Sequence, residues 1–174
     1  QQTMTTALGK LIDKEPVFVT AETPTRAALE QMNALRLGCM VVVDGDRRPV
    51  GVVTQSDLLP RVVLAGFDLA RPIGELMTAN PHQLPATASA YDAALEMATH
   101  GVRHLLVVTS DGILKGVVSE RDLFSLQRIS LRQIRAGIDN AADIDALQRA
   151  SKDIRQLALN LIAQGIGAEQ LTQF

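Results

Sequence analysis

Two four-residue phrases hold the side chains best suited to chemistry: Thr54-Gln55-Ser56-Asp57 and Ser119-Glu120-Arg121-Asp122. Each sets a hydroxyl three positions before a carboxylate, directly after Gly51-Val52-Val53 or Gly116-Val117-Val118. At a helix start this spacing is a capping-box arrangement, in which side chains satisfy backbone groups that have no partner within the helix. Capping alone accounts for the pair, since losing such a cap costs on the order of 1 kcal/mol. The same atoms have a second use. A helix N-terminus gathers N–H groups that suit phosphate, and a carboxylate accepts hydrogen bonds from two neighbouring ribose hydroxyls. A negative Asp repels phosphate, so it would face the sugar and leave the phosphate to separate cations. Metal and covalent chemistry find less support. No three of His82, His100, His104 and Cys39 stand at a metal-ligand spacing, which disfavours zinc, and no nucleophile and base combination marks a catalytic site.

The two phrases belong to a longer repeat. Residues 8–59 fall without a gap on residues 73–124, 65 positions on, with identities that include Gly9/Gly74, Leu11/Leu76, Pro16/Pro81, Met32/Met97, Val42/Val107, Gly51/Gly116, Asp57/Asp122 and Leu58/Leu123. Two copies are too few for a solenoid, which needs about three units to bury a continuous core. A pseudo-symmetric pair is the natural alternative, because a unit of about 55 residues is marginal alone.

Within each copy the elements follow one order. A short β-type run, Val17-Phe18-Val19 or His82-Gln83-Leu84, precedes a helix that opens at Thr23-Pro24-Thr25 or Ser89, where Thr and Ser suit the N-cap and Pro24 a first-turn position. Ala28, Leu29, Met32 and Leu35, and in the second copy Ala94, Leu95 and Ala98, recur at helical spacing. Two β-branched runs follow, 39–43 and 50–54, repeated as 104–109 and 114–118. Asp44-Gly45-Asp46 and Ser110-Asp111-Gly112 lie between them as hairpin turns. A second helix starts near 55 and near 120. The expected fold class is α/β (α+β): two motifs, 8–60 and 73–125, each a small sheet with two helices, plus a helical extension over 126–174.

Composition disfavours several functions. With 17 basic and 19 acidic residues, no Trp and no long run of either charge, the 174-residue chain lacks the footprint of a nucleic-acid groove or a membrane surface. The single Cys39 lies in the apolar run Cys-Met-Val-Val-Val, reads as a small core hydrophobe, and fits a reduced cytoplasmic protein. No apolar stretch approaches the ~18 residues of a membrane span, the first residues lack a signal peptide's regions, and the N-terminus reads as a cut edge.

The element order, the doubled copy and the phrases Gly51-Val52-Val53-Thr54-Gln55-Ser56-Asp57 and Gly116-Val117-Val118-Ser119-Glu120-Arg121-Asp122 closely resemble a cystathionine-β-synthase (CBS) domain pair, or Bateman module. The likeness covers residues 8–124. It implies a non-catalytic regulatory module that binds AMP, ADP or ATP in clefts between the copies, requires no cofactor, and signals to an attached domain. The resemblance also implies composite clefts. One gathers Ser119, Arg121, Asp122 and His104 against Val17, Leu37 and Gly38; the other gathers Thr54, Ser56 and Asp57 against His82, Val102 and Arg103, with Cys39 where the first has His104. The first is richer in cations and is expected to hold phosphate better. Each residue keeps a plainer reading: Arg121 and Arg103 as solvated charges, His104 as an edge residue, His100 as a charge suited to a helix C-terminus. Family members often join as a disc-shaped dimer of pairs, so a homodimer is expected. The alternative is a structural dimerisation and linker module with empty clefts.

Beyond residue 124 the composition changes. Ile144, Leu147, Ile154, Leu157, Leu161 and Ile162 mark one helical face that needs a partner. A CBS pair running into such helices resembles the middle of bacterial signal-transduction nucleotidyltransferases related to uridylyltransferases, which implies a nucleotidyltransferase as the attached domain. The Gly-Ser turn that family places before its paired aspartates is absent, and Asp143 and Asp145 read as first-turn acids of a helix.

Overall fold

The computed structural model describes residues 3–126 together with residues 152, 154–157, 159 and 160. The chain runs α1 (Leu8–Leu11), β1 (Phe18–Thr20), α2 (Thr25–Leu35), β2 (Cys39–Val43), β3 (Pro49–Thr54) and α3 (Gln55–Asp57), then β4 (Thr78–Ala79), β5 (Gln83–Pro85), α4 (Ala90–His100), β6 (His104–Val108) and β7 (Leu114–Ser119), with residues 120–126 helical. This is the expected mixed α/β architecture. The first sheet has the order β1-β2-β3-β4 and the second the order β5-β6-β7. The repeat shows in the register: β1 runs parallel to β2 with Phe18 opposite Val41, and β5 parallel to β6 with Gln83 opposite Leu106.

Fully buried β2 has the continuous apolar sequence that a strand covered on both faces requires. Met40, Val42 and Val53 pack with Val19, Ala28, Met32, Ile73 and Leu76, while Val41 and Val43 pack with Leu106 and Leu114. Each copy also has one glycine against which a long side chain rests. A Cβ at Gly51 would overlap the Met77 side chain at Sδ and Cγ, and one at Gly116 would stand 2.7 Å from Ile12 Cγ2. Met77 and Ile12 are themselves 65 positions apart, so this close approach is repeated.

Two compact units divide the chain, and their boundaries are not those of the repeat. One holds the described residues up to Leu11, Thr87–Leu105 and those from Val118 on; the other holds Ile12–Ala86 and Leu106–Val117. An exchange of leading segments accounts for this. In the first unit Leu8 N donates to Ala88 O (2.7 Å), Ala90 N to Thr6 O and Tyr91 N to Met4 O, with Leu8, Ala90, Ala93 and Ala94 wholly buried. In the second, Ile73 N donates to Thr23 O (2.8 Å), the same bond one repeat on, and Ile73 and Leu76 complete the core beneath α2. Each copy's opening residues therefore serve the other copy's first helix. Met4 and Leu8 are thus core residues.

One local expectation is corrected. Ser89 caps α4 reciprocally with Asp92, but α2 has Pro24 at its N-cap position and no capping side chain. Thr25 is instead buried, its Oγ1 donating to Arg71 O at 2.8 Å. In the first hairpin the left-handed residue is Arg47 (φ 64°), and it matches Gly112 (φ 80°) in the second. A side chain at positive φ is costly; here the Arg47 guanidinium lies 5.0 Å from the Phe18 ring centroid, a cation–π contact that offsets part of that cost. Asp44 holds the turn by accepting from Asp46 N and Arg48 N, which also lowers its pKa. Among the tail residues singled out in the sequence, Ile154 is 49% exposed and Leu157 half-buried. Asp143, Ile144, Asp145, Leu147, Leu161 and Ile162 lie outside the described residues.

Candidate functional site

Both phrases sit where a β-strand turns directly into a helix. Valines that prefer the pleat give way to residues that can cap, so the hydroxyl and carboxylate land together at a strand-to-helix corner. In the first unit the corner closes reciprocally. Ser119 N donates to Asp122 Oδ2 (2.8 Å), and Asp122 N to Ser119 Oγ (3.2 Å). In the second unit Thr54 N donates to Asp57 Oδ2 (2.8 Å), but Thr54 Oγ1 also donates to Oδ2 (3.2 Å) and stands 2.9 Å from Ser56 Oγ. The capping reading thus holds at both corners, and in each it engages one carboxylate oxygen.

A second bond, not foreseen from the sequence, ties each corner to the residues before its own copy's second strand. Gln55 N donates to Gly38 O (3.1 Å), and Glu120 N donates to Arg103 O (2.9 Å). These are the same bond at an offset of 65. Gln55 Nε2 further reaches Leu37 O at 3.5 Å, while the Arg103 guanidinium stands 3.9 Å from Glu120. Backbone pairing of this kind has no side-chain signature; only the equivalence of Gln55 and Glu120 within the repeat could have suggested it.

The second unit thus brings Thr54, Ser56 and Asp57 together with Leu37 and Gly38. Val17 and Leu37 are half-buried against its core. His82 belongs to the same unit, with its carbonyl accepting from Leu106 N at 3.1 Å. The first unit brings Ser119 and Asp122 together with Arg103 and His104. Val102 there is held by a bond from its N–H to Met97 O, and Arg121 is exposed, its carbonyl accepting from Ser125 Oγ. The composite clefts inferred from the resemblance distribute their residues over both units, and each unit's share stands as described.

Electrostatics distinguishes the corners. Burial is the main cause holding His104 below its ordinary pKa of 6.5; Arg103 lowers it further, while Asp122 and Glu120 raise it. His104 is therefore neutral at pH 7. At the matching position Cys39 is buried and its thiol is pushed up to about 12, by desolvation first and by Asp57 second, so it carries no thiolate at neutral pH. Asp57 Oδ1 lies 3.8 Å from Arg61. Among the described residues no ion pair reaches Asp122. His100 ends α4 ahead of Gly101 (φ 64°) and pairs with Glu96 at 3.0 Å, away from either corner in sequence. Among the described residues no group of three or more His, Cys, Asp or Glu could hold a metal ion, and no helix is long and apolar enough to cross a membrane.

Fold and corners together define a tandem pair of small α/β motifs built around repeated strand-to-helix turns. The family model for the CBS domain matches residues 8–63 and 73–128, and the chain belongs to that family. A CBS domain protein from Pyrobaculum aerophilum, solved in complex with AMP, is similar with a TM-score of 0.64 and 26% identity, covering 84% of this chain and 99% of that one. An uncharacterized 17.7 kDa protein of Acidianus ambivalens is 29% identical over 120 residues, 69% of this chain and 72% of that protein. An inosine-5'-monophosphate dehydrogenase of Aquifex aeolicus is 27% identical over 109 residues, which are 62% of this chain but 22% of the enzyme. Other curated relatives are also matched only in part, from 19% to 58% of their length.

Proposed function

We propose that the chain is a non-enzymatic regulatory module that takes an adenine nucleotide, AMP, ADP or ATP, at the corners of its CBS motifs and transmits occupancy to an attached effector domain. The observation that carries this reading is the Ser119–Asp122 corner. Its carboxylate spends one oxygen on the cap and meets no ion pair among the described residues, and the cations Arg103 and Arg121 lie in the same unit, beside a neutral His104. A carboxylate so placed suits the paired hydroxyls of a ribose, with nearby cations for phosphate. The AMP complex of the P. aerophilum relative supports the same ligand class.

The wider assignment follows from this reading. The module is cytoplasmic and homodimeric, needs no cofactor for its own fold, and serves an effector of the nucleotidyltransferase kind suggested by the tail. Calorimetric titration of the chain with each nucleotide up to millimolar concentration should show saturable binding. Asp122→Ala should weaken it by roughly 1.5–3 kcal/mol, the loss expected for a hydrogen bond to a charged group. Absence of heat at millimolar nucleotide would leave the capping boxes as the corners' whole purpose and the module as a structural linker.

A further inference from the structure

The two corners differ in the residue four positions after the aspartate. In the second copy this is Leu126, buried at 5% exposure; in the first it is Arg61. Arg61 lies in a π-helical stretch, Leu58–Val63, that follows α3 directly and shows its wide turn in the bonds Leu64 N to Leu59 O (2.9 Å) and Phe67 N to Val62 O (3.0 Å). Pro60, which has no N–H to donate, sits inside this stretch. Arg61 Nη1 lies 3.8 Å from Asp57 Oδ1 and donates to Thr78 Oγ1 at 3.1 Å. Meanwhile Oδ2 of the same carboxylate takes both Thr54 N and Thr54 Oγ1. Both oxygens of Asp57 therefore face internal partners, and Arg61 is turned toward its own corner's carboxylate.

We infer that Arg61 is a specificity-determining residue of the first corner: by pairing with Asp57 while anchored on Thr78, it competes with ribose hydroxyls for that carboxylate and is not a phosphate ligand. This rests on the nucleotide reading above. The effect is bounded by the pair itself, whose side chains are 38% and 20% exposed. Such a partly screened pair is worth about 1 kcal/mol at most, or about five-fold in affinity at tenfold per 1.4 kcal/mol.

The test uses the full chain with Asp122→Ala to silence the second corner, with and without Arg61→Met, which keeps an unbranched apolar stem in place of the charge. Equilibrium dialysis against adenosine and against AMP measures sugar recognition with and without phosphate. The expected result is a gain of up to about five-fold for adenosine on Arg61→Met, with AMP gaining no more than adenosine. A selective loss of AMP would make Arg61 a phosphate ligand and overturn the inference. So would unchanged or weaker adenosine binding, including none in either variant while the wild-type chain binds, which leaves the nucleotide reading standing. No binding of either ligand to the wild-type chain would overturn both.

Discussion

The Thr54 and Ser119 corners share a phrase, a turn and a backbone bond, yet they hold their carboxylates in different electrostatic states. Asp122 is capped by a reciprocal pair of bonds and otherwise meets no cation pairing among the described residues, whereas Asp57 accepts from Thr54 twice and faces Arg61. The position of His104 in one copy is occupied by the buried Cys39 in the other. Local geometry at such a corner is thus set by the phrase, while the electrostatic surroundings of its carboxylate are set by residues outside it, at the start of the second strand and one helical turn beyond the aspartate. A duplicated motif can keep its fold in both copies while the surroundings of its carboxylates diverge.

The sharpest way to break this comparison is to remove each aspartate in turn. Asp57→Ala and Asp122→Ala should both cost a cap, about 0.5–2 kcal/mol of stability, visible as similar shifts in urea unfolding. Calorimetry with AMP should separate them, because Asp122→Ala loses affinity by roughly ten-fold or more while Asp57→Ala changes it little. A larger loss for Asp57→Ala would show that the corners are ranked in the wrong order.

A packing difference comes next. An added methyl at Gly51 or Gly116 overfills a close contact, and overpacking costs typically 1–3 kcal/mol. The neighbour decides where in that range each falls. Met77 is unbranched and can swing its Cγ and Sδ away by changing rotamer, whereas Ile12 is stiff at its first torsion. Gly116→Ala should therefore destabilise the chain more than Gly51→Ala in matched denaturant melts, and an equal or reversed order would refute this account of the two contacts.

The smallest expected effect is a difference in pH response at the matched positions 39 and 104. The folded-state pKa of His104 is depressed, so between that value and the unfolded 6.5 the unfolded chain binds more protons, and stability falls as pH falls through this window. Cys39 is raised from 9.0 to about 12, so the folded chain binds more protons in that interval, and stability falls as pH rises above 9. Melts from pH 5 to 10 should show His104→Gln flattening the acid side alone and Cys39→Ala the alkaline side alone. A variant that flattened both sides would show the titrations to be coupled.

Much of the fold was legible because the repeat is gapless and its strands are rich in β-branched residues. Val41, Val42 and Val107, the turns at 44 and 110, and the caps at Ser89 and Ser119 stand where their residue types and spacing place them. What was not legible depends on partners distant in sequence. Thr25 suits a cap, but a buried site beside Arg71 O claims it; Arg47 occupies a left-handed position with its guanidinium over Phe18. The likeness of Gln55 and Glu120 lies in their backbone N–H groups, which every residue but proline possesses. Arg61 reads as an ordinary surface cation until the π-helical turn sets it beside Asp57. The family resemblance supplied the expected clefts, and no spacing within one copy could have done so.

The exchanged opening segments have a consequence for how the chain folds. Leu8 must reach Ala88 before the first unit closes, so its contact waits for a loop of about 80 residues, and closing a loop becomes costlier as its length grows. Ile73 must similarly return to Thr23. Contacts so distant in sequence slow folding, and they make each unit depend on chain contributed by the other copy. A fragment cut at the repeat boundary after residue 60 would have α2 but neither Ile73 nor Leu76 beneath it. The duplication visible in the sequence is therefore not a division into two independently folding parts; on a ribosome, the first copy is left with an open core until the second has begun to emerge.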